Sequence, residues 1–163
     1  MGYHQVFLEA VEAWIADYER GAHRLYTEAD FQSHLFYHLL TLMAGRGFEQ
    51  PYRIHTNYSV QSVREKIDLV LGDNEVLAEL KFEPDYPELA QSRRPVVLTE
   101  YIVNDIDRMR RYARQGYPHC YILALDEAGI HRRALADFEW RVLRRGEGEA
   151  YLLAHVFNPE TSD

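Results

Sequence analysis

The chain has 163 residues, 47% hydrophobic and 27% charged, enough for one domain with a single substantial core. Its net charge of −8 is spread over both halves, with 7 basic and 12 acidic side chains in residues 1–82 and 11 and 14 in residues 83–163, which excludes a protein that coats nucleic acid through a basic tail or face. The single Cys120 excludes an internal disulfide and fits a reducing, cytoplasmic setting, and neither a membrane-crossing run, a leader nor a lipidation signal is expected.

Phe7, Ala10, Val11, Trp14 and Tyr18 recur at helical spacing and predict a first helix of about sixteen residues, stopped by Gly21. Thr27 is the predicted N-cap of a second helix from about Glu28 to Met43, with Phe31, Leu35, Leu39 and Leu42 turned inward. Glu28 lies on the side of Phe31, Gln32 and Leu35, where an acid needs a reason. His34 and His38 stand four apart, a spacing that can hold zinc. The H-E-x-x-H pattern needs glutamate where Leu35 stands, however, and no third ligand is evident, so both are predicted to edge the packed stripe. After Gly45, Gly47 and Pro51, Tyr52, Ile54, Thr56, Tyr58 and Val60 alternate with Arg53, His55, Asn57 and Ser59, which predicts a strand with one solvated face.

Residues 65–82 hold two apolar runs split by Gly72-Asp73-Asn74 and predict a β-hairpin. With a two-residue loop at Asp73-Asn74, Leu71 faces Val76, Leu69 faces Ala78 and Ile67 faces Leu80 on one apolar side. Val70 faces Leu77, and Asp68 faces Glu79, on the other. A one-residue slip would put Asp68 among the apolar side chains, so the hydrophobic pattern selects this register. Facing residues have β-carbons roughly 4.5–5.5 Å apart, a distance at which like charges destabilise the pair, so something must compensate. Lys81 shares the face of Glu79. Oxygen ligands converging from two strands suit Mg²⁺ or Mn²⁺, and a lysine beside the ion would stabilise a phosphoryl group in transfer or activate the attacking water. Of the 18 basic residues only Lys66 and Lys81 are lysines, so position 81 points to a need for a compact ammonium. The plain alternative is a solvated strand face on which Glu79 and Lys81 are surface charges.

The following segment, PDYPELAQSRRP, predicts a loop in which Arg93 and Arg94 either contact phosphate oxygens or lie in a solvated turn. A third helix from about Leu98 to Gln115 turns Ile102, Ile106, Met109 and Ala113 inward. Its arginines, Arg108 and Arg111 among them, either pair with Glu100, Asp105 and Asp107 or form a row facing DNA. CYILALDEAG predicts a buried strand, and the right-handed crossover makes it parallel to the strand of Glu79. Cys120 reads as a buried thiol there. HRRALADFEWRVLRR predicts a helix through Leu135, Phe138 and Val142, with a partial strand through Phe138, Trp140 and Val142 as the alternative, and AYLLAHVFN predicts a closing strand.

Asp68, the hairpin and Glu79-Leu80-Lys81 together resemble the acid and (D/E)-x-K pattern of the PD-(D/E)xK nuclease superfamily, with Ile67 where that family often has proline. The succession helix, three strands, helix, strand extends the resemblance over about residues 27–125. It implies an α/β fold with a three-layer α/β/α restriction-endonuclease-like core: a mixed sheet made of a three-strand meander, a crossover helix and a parallel strand. Residues 1–21 would add an N-terminal helix and residues 126–163 a C-terminal helix and strand to this single domain. By the same resemblance, Asp68 and Glu79 hold Mg²⁺ or Mn²⁺, Lys81 is catalytic, and the second helix lends Glu28 to the metal, with Asp30 competing for that place. The implied activity is metal-dependent hydrolysis of phosphodiester bonds in nucleic acid, DNA before RNA, with no membrane partner and a homodimer left open. A catalytically inactive module that keeps the nuclease fold and binds nucleic acid or a protein is the alternative.

Overall fold

Thr27 starts the second helix with a reciprocal cap: its side chain accepts the Asp30 N–H while Asp30 takes the Thr27 N–H, which satisfies donors that a helix start leaves open. The computed structural model describes residues 2–49, 52–60, 65–85, 97 and 99–159. In chain order these form α1 (Tyr3–Glu19), α2 (Glu28–Gly45), β1 (Ile54–Ser59), β2 (Lys66–Leu71), β3 (Val76–Glu83), α3 (Thr99–Arg114), β4 (His119–Asp126), α4 (Ile130–Ala134), β5 (Trp140–Arg145) and β6 (Gly148–Phe157). The strands make one six-stranded mixed sheet in the order β1-β2-β3-β4-β6-β5. β1, β2 and β3 are an antiparallel meander, and α3 crosses over to β4, which runs parallel to β3.

Alternation along the strands builds two cores. Leu69, Leu71, Val76, Ala78, Leu80 and Phe82 face α1 and α2, where Trp14, Phe31, Leu35 and Leu39 cover them. Val70, Leu77, Cys120, Ile122 and Ala124 face α3, covered by Ile102, Ile106, Met109 and Tyr112. Each Val, Leu, Ile, Phe or Met side chain fully removed from water contributes about 1.5–3 kcal/mol, and the central pair β3 and β4 is buried on both faces, as a parallel pair between helix layers must be.

Three local expectations are corrected. The hairpin turn spans residues 72–75 rather than two residues: Glu75 N–H reaches Leu71 O at 3.0 Å, while Leu71 still pairs with Val76, so the register is kept. Gly72 has φ +64°, and a β-carbon there would lie 2.9 Å from the Tyr3 ring, so only glycine fits. Second, Ile67 leaves the face of Leu69 and Leu71 and packs in the α3 layer with Val70 and Leu77. The cause is a break in β2. Its ladder with β1 pairs Leu69 and Ile67 but skips Asp68, opposite which Asn57 adopts φ +51°, and its ladder with β3 ends at Leu69–Ala78. Third, the long C-terminal helix is only the short α4, followed by β5. Phe138 and Trp140 pack in one layer and Leu143 in the other, so no continuous helical stripe exists, and a tight turn at Gly146 pairs Arg145 with Gly148.

Candidate active site

The break in β2 is where charged side chains collect. Beyond Leu69 the two strands part, and Asp68 takes the place of a ladder partner: its Oδ2 accepts the Leu80 N–H at 2.8 Å. The Asp68 carbonyl accepts Gln32 Nε2 of α2 at 2.6 Å, which anchors the fork to the helix. Glu79 and Lys81 project from β3 on the α3 side, and Lys81 reaches the gap between the layers. Its Nζ lies 3.1 Å from Asp105 Oδ2 on α3, 3.5 Å from Glu28 Oε2 at the start of α2 and 3.9 Å from Asp68 Oδ2, and donates to Leu80 O at 2.8 Å. Arg108 of α3 completes the group, with Nη2 2.6 Å from Asp105 Oδ1 and 2.7 Å from Glu79 Oε1.

Four carboxylates therefore share two cations in a half-buried place, an excess of two negative charges with all four ionised and of one when Glu79 carries a proton. Glu79 is only 1% exposed, which removes the reading of a solvated strand face. Burial, with the charge of Asp68 beside it, pushes its carboxyl up to about 9 against the pull of Arg108, so it holds a proton at neutral pH. Burial also raises Glu28, although Lys81 pulls it down. For Lys81 burial opposes the ammonium, but Asp105, Glu28 and Asp68 together outweigh it and raise the pKa. Glu28 has the most open side chain of the group at 41% exposure, compared with 16% for Lys81, so the site is entered from the α2 end.

Of the residues expected from sequence, Asp68, Glu79, Lys81 and Glu28 come together, and Arg108 joins them as an inward partner of Glu79. Asp30 does not, since its carboxylate is spent on the Tyr26 and Thr27 N–H groups at 2.9 Å each. Arg111 points away, to Glu65 at 2.9 Å. Arg93 and Arg94 lie outside the described residues. Asp105 and Gln32 were not expected here. The signal for Asp105 is its place three residues after Ile102 and four before Met109, on the inward stripe of α3, where an acid is as conspicuous as Glu28 on α2. A cleft of about 710 Å³ lies elsewhere, lined by Tyr18, Leu25, Glu127 and Arg145 among others. Tyr18 and Glu127 there bond each other at 2.6 Å, whereas the fork leaves Glu79 Oε1 and Asp105 Oδ2 buried without an aligned hydrogen bond.

The excess of carboxylates over protein cations fits a hard dication, although Arg108 and Lys81 already stand beside two of the oxygens. Fold and site thus define a mixed-sheet α/β protein that gathers acids and a lysine at the fork of two antiparallel strands. Set against family models, curated proteins and solved structures, the chain matches none of them.

Proposed function

We propose that the chain is a metal-dependent nuclease with a restriction-endonuclease-like core, hydrolysing phosphodiester bonds in nucleic acid, DNA before RNA. The observation that carries this reading is the convergence of Asp68, Glu79 and Lys81 at the strand fork, with Glu28 arriving from the opposite layer. Asp68 and Glu79 would hold Mg²⁺ or Mn²⁺, with Glu28 as the outer acid, and the ion would supply Lewis-acid stabilisation of the phosphoryl charge. Lys81, kept protonated by its three acids, donates to a phosphoryl oxygen and stabilises the charge that develops there. A carboxylate, not the lysine, then receives the proton of the attacking water, and the open, raised Glu28 is best placed for it. Arg108 and Asp105 hold Glu79 and Lys81 in position, and phosphate contacts outside the fork fall to Arg111 and to Arg93 and Arg94.

The test is cleavage of DNA and RNA by the purified chain with Mg²⁺ or Mn²⁺ and with chelator. Asp68→Asn is the suitable variant at that position because it keeps an acceptor for the Leu80 N–H. Metal-dependent cleavage that falls about 100-fold or more in Asp68→Asn, Glu79→Gln and Lys81→Met supports the reading. Unchanged rates in all three reject it.

One observation favours a second reading, the inactive module. Arg108 already sits 2.7 Å from Glu79 Oε1, a protein cation where the dication would be needed. A melting temperature unmoved by millimolar Mg²⁺ or Mn²⁺, yet raised by nucleic acid, would select it.

A further inference from the structure

The histidines of α2 gain a partner that their spacing does not reveal. Gly21, at φ +70°, ends α1 in the left-handed region, and the Ala22 N–H returns to Asp17 O at 3.0 Å, folding the next segment back over the last turn of the helix. His23 on that segment and His38 on α2 then meet one carboxylate oxygen. His23 Nε2 lies 3.4 Å and His38 Nε2 3.3 Å from Asp17 Oδ2, and the three ligand atoms all lie within 4.8 Å of one another. Neither approach is an aligned hydrogen bond, since both Nε2 atoms are buried without a partner. The other oxygen of Asp17 is bonded by Arg20, which orients the carboxylate.

These separations have a simple meaning. Zinc bonds of about 2.0–2.1 Å to nitrogen and about 2.0–2.2 Å to oxygen, opened to the tetrahedral angle, put neighbouring ligand atoms about 3.3–3.5 Å apart. We propose that Asp17, His23 and His38 form a binding site for a first-row transition dication of the Zn²⁺ kind, which pins the end of α1 and the segment after it to α2. Imidazole nitrogen selects such an ion over Mg²⁺, which takes oxygen. His38 is only 8% exposed, so little solvent competes for its ring. The ring of His34 stands edge-on to His23 at 4.0 Å and closes the side of the site. Three protein ligands leave the fourth position to water, and the residues involved are separate from those of the strand fork.

The experiment uses the full chain without an affinity tag, stripped by chelator and dialysed, then titrated with Zn²⁺ and with Co²⁺. In a large excess of Mg²⁺, which occupies the strand fork, one equivalent of Zn²⁺ should still bind and raise the melting temperature, and Co²⁺ should give the intense visible absorption of a four-coordinate site. His38→Gln and Asp17→Asn should each weaken binding at least 10-fold, whereas Asp68→Asn should leave it unchanged. Absence of stoichiometric Zn²⁺, a weak octahedral Co²⁺ spectrum from the wild-type chain, wild-type affinity in both variants or loss of binding in Asp68→Asn would each overturn the proposal. The Co²⁺ spectrum decides the matter even where a variant fails to fold.

Discussion

Glu79 is the residue on which the electrostatics of the fork turn. A carboxyl buried beside Asp68 and held near 9 keeps its proton through the neutral range, while the same side chain in the unfolded chain ionises near 4.5. The native state therefore binds the extra proton, and the stability it lends is complete below 4.5 and is lost as pH rises to about 9. Glu79→Gln removes that loss. In chelator the variant should be more stable than wild type by roughly 1–3 kcal/mol at pH 8, with little difference at pH 4.5, as urea melts across this range will show. Parallel profiles would mean that the carboxyl is already ionised. The grouping of Asp68, Glu79 and Lys81 was legible in the sequence because strand alternation and apolar patterning leave one register that keeps charge out of the core. Asp105 was less visible: among arginines on the same helix it reads as a surface partner, and only its position between Ile102 and Met109 marks it as inward.

At the scale of elements, the fork exists because three segments release β2 at one residue. Asn57 turns out of the β1 ladder, the β3 ladder stops at Leu69–Ala78, and Gln32 takes up the Asp68 carbonyl. Gln32 is thus a positioning residue. Gln32→Ala should lower the stability by only about 0.5–1.5 kcal/mol; given the proposed nuclease activity, it should also lower kcat while leaving KM nearly unchanged, because Asp68 loses its anchor while substrate contacts remain. A variant with wild-type kcat would show that the β2 backbone holds itself. None of this break was written in the local pattern, since Ile67, Leu69 and Leu71 alternate as an unbroken strand would. The hairpin pairing was readable, but its loop length was not, because Gly72 and Asn74 both enter the left-handed region and widen the turn. The C-terminal helix failed for a related reason: Leu135, Phe138 and Val142 fit a helical period, yet the chain is extended from Trp140, which puts Leu143 in one layer and leaves Val142 exposed.

Across the whole molecule, the sheet separates two helix layers, and Lys81 touches both, meeting Glu28 from one and Asp105 from the other. Chain order, short connections and the right-handed crossover made the meander and the parallel β4 predictable. The insertion of β6 between β4 and β5 was not, because it depends on which edge a late hairpin meets. On the proposed nuclease reading a dication belongs at the fork, because the protein cations Lys81 and Arg108 cover only part of the carboxylate charge. Mn²⁺ anomalous scattering from a crystal of the chain tests that most directly. A peak between the carboxylates of Asp68 and Glu79, with Arg108 moved off Glu79, is the expected result; a fork that keeps the Arg108–Glu79 pair and shows no peak there at millimolar Mn²⁺ would contradict the metal site.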